Sequence, residues 1–165
     1  RTLHATEDAL ERMYNSGRFL HTIDYLLEAT GLRPFALFTA MGKRTAEMGD
    51  TAGISLDAYT ERIWEIGRTF AGVDSMRLRD AMVTDRLCTE NTGRIPPCLR
   101  IEDRRLKRYR EQVRARACYR EHPGVKAGVA LLYAGAERLL IVDYAEKAPL
   151  HKRYACRIEP IPQDE

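Results

Sequence analysis

Asp85 is the residue whose type and position first suggest chemistry. Within residues 78–99, LRDAMVTDRLCTENTGRIPPCL, the positions at helical spacing read Leu78, Ala81, Met82, Asp85 and Cys88. A carboxylate therefore occupies a place where packing asks for an aliphatic group. An acid in apolar surroundings has its pKa raised, which suits a general acid or base. The same acid can be a structural tie to an arginine, a tyrosine or the N-terminal amides of a neighbouring helix. The many nearby arginines favour the tie.

Other reactive side chains are scattered. His4, His21, His122 and His151 form no His-x-x-x-His or Glu-x-x-His pair, so no metal site is expected within the chain. Cys88, Cys98, Cys118 and Cys156 stand ten, twenty and thirty-eight positions apart, without a Cys-x-x-Cys pair, and read as reduced thiols of a cytoplasmic protein. Asp143, His151 and Cys156 could meet as orienter, base and nucleophile of a hydrolase, but nothing in the sequence fixes that geometry, and a solvent-exposed loop histidine and a core cysteine are the favoured reading. There is no Gly-x-Gly-x-x-Gly and no Walker sequence.

Positions 100–120 hold nine Arg or Lys against Glu102, Asp103 and Glu111, a local excess of six, although the whole chain carries only +3. Arg104, Arg105, Arg108 and Arg114 are the candidate docking residues. Three readings apply: a solvated face, a surface that docks on an acidic partner or on phosphate groups, or a nucleic-acid site. The last is disfavoured, because no aromatics interleave with the charges to stack on bases and no groove-reading motif accompanies them.

The elements that must position these residues follow from periodicity and punctuation. Helices are expected over residues 2–14, 19–30, 34–48, 55–71 and 75–90, ended by Gly17, Gly31, Gly49, Gly72 and Gly93. Pro34 opens the third, in which Phe35, Phe38, Met41 and Met48 share an expected core face. Ser55 caps the fourth and Asp74 or Ser75 the fifth, and Trp64 belongs to the packing around the fourth. After Pro96-Pro97, residues 101–120 read as a sixth, basic helix with a stripe of Leu106, Tyr109, Val113 and Ala117. Strands are expected at 125–133, 139–144 and 154–158, the first Ala-rich enough to be a helix instead. In the last, Tyr154, Cys156 and Ile158 alternate with Ala155 and Arg157 as in a half-buried strand. Residues 145–152 read as a loop and residues 161–165 as a frayed tail.

The fold class expected is α+β and mostly helical, about six helices (1–122) followed by a small antiparallel β-meander (124–160), together a single domain over residues 1–160. A hydrophobic share of 44% and a charged share of 31% describe a soluble globular protein, and no apolar run nears the roughly 18 residues of a spanning helix. The start at Arg1 reads as that of a fragment.

Several stretches together carry a resemblance: YNSGRF at 14–19 followed by HTIDYLLE, RPFALFTAMG at 33–42, the segment 78–99, and LLIVDYAEKAPLHKRY at 139–154. The chain resembles the C-terminal domain, a domain of unknown function, of cobalamin-binding radical S-adenosylmethionine enzymes similar to the anaerobic magnesium-protoporphyrin IX monomethyl ester oxidative cyclase. The resemblance implies a parent with a cobalamin-binding domain, then a radical barrel carrying an iron–sulfur cluster in a Cys-x-x-x-Cys-x-x-Cys motif, then this region. Neither that motif nor an Asp-x-His-x-x-Gly occurs here, so no cluster, S-adenosylmethionine or cobalamin ligand is carried over, and no catalytic residue either. Asp85 is the position carried over, as the Asp of the family's Leu-Arg-Asp…Asp-Arg-Leu pattern, and the resemblance assigns it no role. The implied role is an accessory domain that covers or shapes substrate access and docks on the upstream domains. The alternative is a free-standing basic module that binds nucleic acid or an acidic protein.

Overall fold

The computed structural model describes residues 1–147 and 152–163. Seven α-helices occupy the first part: α1 (Thr2–Ala9), α2 (Leu20–Thr30), α3 (Pro34–Glu47), α4 (Leu56–Gly67), α5 (Ser75–Thr89), α6 (Arg105–Arg114) and α7 (Ala117–Arg120). A π-helical stretch, Leu10–Asn15, prolongs α1. Three antiparallel strands follow in the spatial order β1 (Ala127–Leu132), β2 (Arg138–Lys147), β3 (Tyr154–Pro160). The fold is thus α+β, mostly helical with a small meander. Among the described residues, no helix is long and apolar enough to cross a membrane.

Local signals set most boundaries. Gly31 takes the left-handed conformation (φ 68°) that ends α2. Pro34 opens α3, Ser55 accepts the Ala58 amide to cap α4, and Asp74 accepts the Arg77 amide to cap α5. Gly42 lets two backbones touch, since a Cβ there would overlap the Ala5 carbonyl, so α1 lies directly on α3.

The β1–β2 hairpin is buried on both faces, which explains the apolar runs of these two strands. Ala130, Leu132, Leu140 and Val142 face a core built by α2–α5 around Leu26, Leu37, Met41, Ile63 and Leu78. Their neighbours Val129, Leu131, Leu139 and Ile141 face a second core closed by Tyr109 and Val113 of α6 and Tyr119 of α7. Register pairs Val129 with Ile141, and Ile141 with Arg157. The result is three layers, with the β1–β2 hairpin as the common wall.

Several expectations are corrected. Phe35, in the first turn of α3, and Met48, just past its end, are exposed, whereas Phe38 and Met41 are buried. The helix expected over 101–120 starts at Arg105 and is broken at Arg116, whose extended backbone (ψ 145°) separates α6 from α7 and leaves Ala117 exposed. The Ala-rich segment is strand β1. Residues 145–147 belong to β2, not to a loop, with an irregularity between Val142 and Lys147. β3 is an edge strand and mostly exposed, Cys156 and Ile158 included, so the alternation in its sequence does not mark a buried face. Ile161, placed in the expected tail, packs against the second core.

Charge fastens β3 where apolar burial does not. Arg116 donates to both carboxylate oxygens of Glu159 at 2.9 and 2.7 Å, and Arg157 adds a third bond at 3.1 Å. These partners, Arg116 first, hold Glu159 down at about 2. A carboxyl whose pKa falls on folding stabilises the native state above its ordinary value of 4.5, and that contribution disappears as pH drops through about 2. The gap in thermal midpoint between the native chain and Glu159→Gln is therefore expected to be full at pH 6 and to close by about pH 2. A gap that does not change with pH would refute the assignment.

Candidate functional site

Helix α5 is the centre from which charged groups reach the other layers. Ten of its residues are buried, among them Arg79, Asp80, Asp85 and Arg86, so it has no single apolar stripe. Each of these charges is met. Arg79 donates to the carbonyls of Leu99 (3.0 Å) and Leu131 (2.6 Å) and to Asp80 (3.1 Å). Asp80 accepts the amides of Tyr133 and Ala134, and Arg86 reaches Asp57 and Thr60 on α4.

Asp85 is 1% exposed and stands at the open end of α2. Its oxygens accept the His21 amide at 3.0 Å, the Thr22 amide at 2.8 Å, the Thr22 hydroxyl at 2.7 Å and the Arg153 guanidinium at 2.9 Å. Phe19, at the N-cap position of α2, supplies no side-chain acceptor, and Asp85 does that work from another helix. Burial pushes its carboxyl upward while Arg153 and Thr22 pull it back. Four donors fill the four acceptor positions of a carboxylate, which leaves none for a substrate proton. Asp85 is a structural tie.

Cys156 and Cys88 are both free thiols. The Cys88 thiol, hydrogen-bonded to Cys156, brings Cys156 down to about 6, with the charges of His21 and Arg153 assisting. Cys88 moves upward in the same exchange and by burial. The nucleophile–base–orienter arrangement is not assembled as expected. Asp143 serves its own turn by accepting the Ala145 amide, and His151 lies outside the described residues. The imidazole whose charge acts on Cys156 is that of His21. No group of three or more His, Cys, Asp or Glu able to hold a metal ion occurs among the described residues.

An open groove of about 700 Å³ lies between α6, β1 and the segment 92–104. Arg104, Lys107, Arg110 and Arg114 recur every three or four residues and line it from one face of α6. None of the four has a hydrogen bond or ion pair among the described residues. Arg110 is half-buried, and its pKa is lowered by burial and then by Arg114 alongside it. The other cations of the groove are committed: Arg79 as above, Arg94 to Asp57, and Arg100 to the Ile95 carbonyl.

The family model described as "Protein of unknown function (DUF4080)" matches residues 1–124. The chain belongs to the DUF4080 family. No curated protein and no solved structure matches it. The DUF4080 match takes in all seven helices, hence α5 and the cationic wall of the groove. It ends just before β1, so the groove floor at Ala127 and the Arg153 that pairs with Asp85 lie beyond it.

The four arginines singled out from sequence separate in this DUF4080 fold. Arg104 and Arg114 line the groove. Arg105 is instead a strut, bound to Asp103 at 2.8 Å and to Glu137 of the β1–β2 turn at 2.6 Å, and it is not available for docking. Arg108 lies over the Tyr109 ring at 5.3 Å. Sequence reasoning missed Lys107 and Arg110, although their three-residue steps from Arg104 place all of them on one face.

Proposed function

We propose that this domain, residues 1–160, is the C-terminal accessory part of a cobalamin-dependent radical S-adenosylmethionine iron–sulfur enzyme, oxidoreductase or cyclase-like, and turns its cationic groove toward the catalytic domains. The row of cations along α6 and its N-cap, without side-chain partners among the described residues, carries the reading. Uncompensated charge beside an open groove favours an acidic counterpart, gains from long-range attraction on approach, and fixes orientation once docked. Docked there, the domain covers and shapes substrate access and does no chemistry alone. This reading places the protein in the cytoplasm.

The residues of this chain do not fit the parent's cofactors. Cys88, Cys98, Cys118 and Cys156 lie on four different elements and are not gathered into a group of three that could hold a cluster among the described residues. Cluster, S-adenosylmethionine and cobalamin are assigned to upstream domains of the same chain. Nucleic acid is the weaker partner for the groove. Tyr133, the aromatic that lines it, is covered by Arg79 and has its hydroxyl on Asp103, so it offers no free face for a base.

The test mixes this domain with the parent truncated before it. A complex is expected at low salt that weakens toward about 0.5 M, where screening is strong, and disappears with the double change R104E/R114E. No complex, together with normal turnover of the truncated parent, would overturn the proposal. Retention of the domain on a polyanion without binding to the parent would favour the free-standing module.

A further inference from the structure

The groove has more cationic character than docking on an acidic surface requires, and its composition defines a ligand. Among the described residues, four cations without side-chain partners, Arg104, Lys107, Arg110 and Arg114, line the groove with one carboxylate without a partner, Glu102. The other acid of the lining, Asp103, is held well below the ordinary carboxylate range, first by Arg105, with Tyr133 also bonded to it. Three positive charges remain uncompensated, and Arg110 bears its charge half-buried beside Arg114. Two guanidiniums that raise each other's energy in this way are relieved by an anion of more than one charge placed between them. Phosphate suits this better than a single carboxylate, because it carries about two charges near neutral pH and presents three acceptor oxygens to planar donors.

Between the charged positions the groove is apolar, with Ile101, Leu106 and Ala127 partly exposed along it. Its size, about 700 Å³, lies within the range of small-molecule pockets. A ligand with a phosphate at one end and an apolar body matches both parts.

We propose that the groove between α6 and β1 binds a phosphate-bearing small molecule, its anionic group between Arg110 and Arg114 and its apolar portion along Leu106 and Ala127. Arg104 and Lys107 stand farther along the same face and draw the anion in. This deepens the docking proposal by naming what lies in the docked face, yet it can be tested without the parent.

The experiment titrates inorganic pyrophosphate into this chain at about 0.15 M salt and follows heat. Saturable binding at one site is expected, weakened roughly tenfold or more by Arg110→Gln and by Arg114→Gln, each removing a charge-assisted pair. Lys43→Gln, an exposed change on α3, is expected to leave it unaltered. No saturable heat would overturn the proposal, as would equal weakening by Lys43→Gln, or tight binding of an acidic peptide with none of pyrophosphate. Should Arg110→Gln lose its circular dichroism signature, exposed Arg114 decides the outcome alone. A chain that binds pyrophosphate but not the truncated parent overturns docking only, and the reverse result overturns the phosphate site only.

Discussion

Asp85→Asn is expected to cost about 3 kcal/mol of folding stability, near the value for removing one partner of a buried charge pair. The amide keeps one acceptor but turns its NH2 group either toward the His21 N–H and Arg153 or toward the Thr22 N–H and hydroxyl, where donors then oppose each other. It also leaves Arg153 facing Asp85's place without a counter-charge. Urea unfolding with an unchanged slope would measure the loss. Arg153→Gln should cost less, because that guanidinium is partly solvated and keeps the alternative of water. A loss under about 1 kcal/mol for Asp85→Asn would mean that the carboxylate is not holding α2, and would reopen a chemical role for it.

Arg79→Met is expected to be comparably severe, about 3 kcal/mol or more, although methionine fills much of the same space. The guanidinium supplies donors to the carbonyls of Leu99 and Leu131, which belong to a turn after α5 and to β1, and neutralises Asp80. Methionine leaves two buried carbonyls without this donor and one carboxylate without its cation. Arg79→Lys should recover less than half, since a single ammonium cannot address three acceptors in a fixed fork. Hydrogen exchange at residues 127–132 would show the effect locally, as faster exchange in β1 than in β2. Full protection there in Arg79→Met would remove Arg79 from the account of how the layers are joined.

Much of the fold is legible in the sequence because its punctuation is local. Gly31, Pro34, Ser55 and Asp74 act within one turn of themselves, and the short apolar run of β2 gives its type by length and composition, whereas that of Ala-rich β1 is compatible with either type. What lies beyond reading depends on partners far along the chain. Arg79, Asp80 and Arg86 look like ordinary solvated charges, and only carbonyls, amides and acids 20 to 54 positions away make them interior groups. The place of Asp85 among apolar neighbours is visible from spacing alone, whereas the Thr22 and Arg153 that satisfy it are not.

The cationic site is legible only in outline. A charge count finds the segment but cannot divide it, because Arg105 differs from Arg104 only in meeting Asp103 and Glu137. Which cations remain unpaired is decided by the tertiary placement of the acids. The break at Arg116 has the same origin. Nothing in RARACYR forbids a helix, and the bidentate pair with Glu159 favours the extended backbone that separates α6 from α7.

The bond from Arg153 to Asp85 also has a consequence for the order in which the protein is made. During synthesis, α2 and α5 leave the ribosome long before residue 153 exists, so their junction first closes around a carboxylate that lacks its cation. Until the last strand emerges, that junction must keep water at Asp85 or open to admit it. The helical layer thus waits on Arg153 for its completion, and a nascent chain stalled before it should present this seam to chaperones and proteases as unfinished.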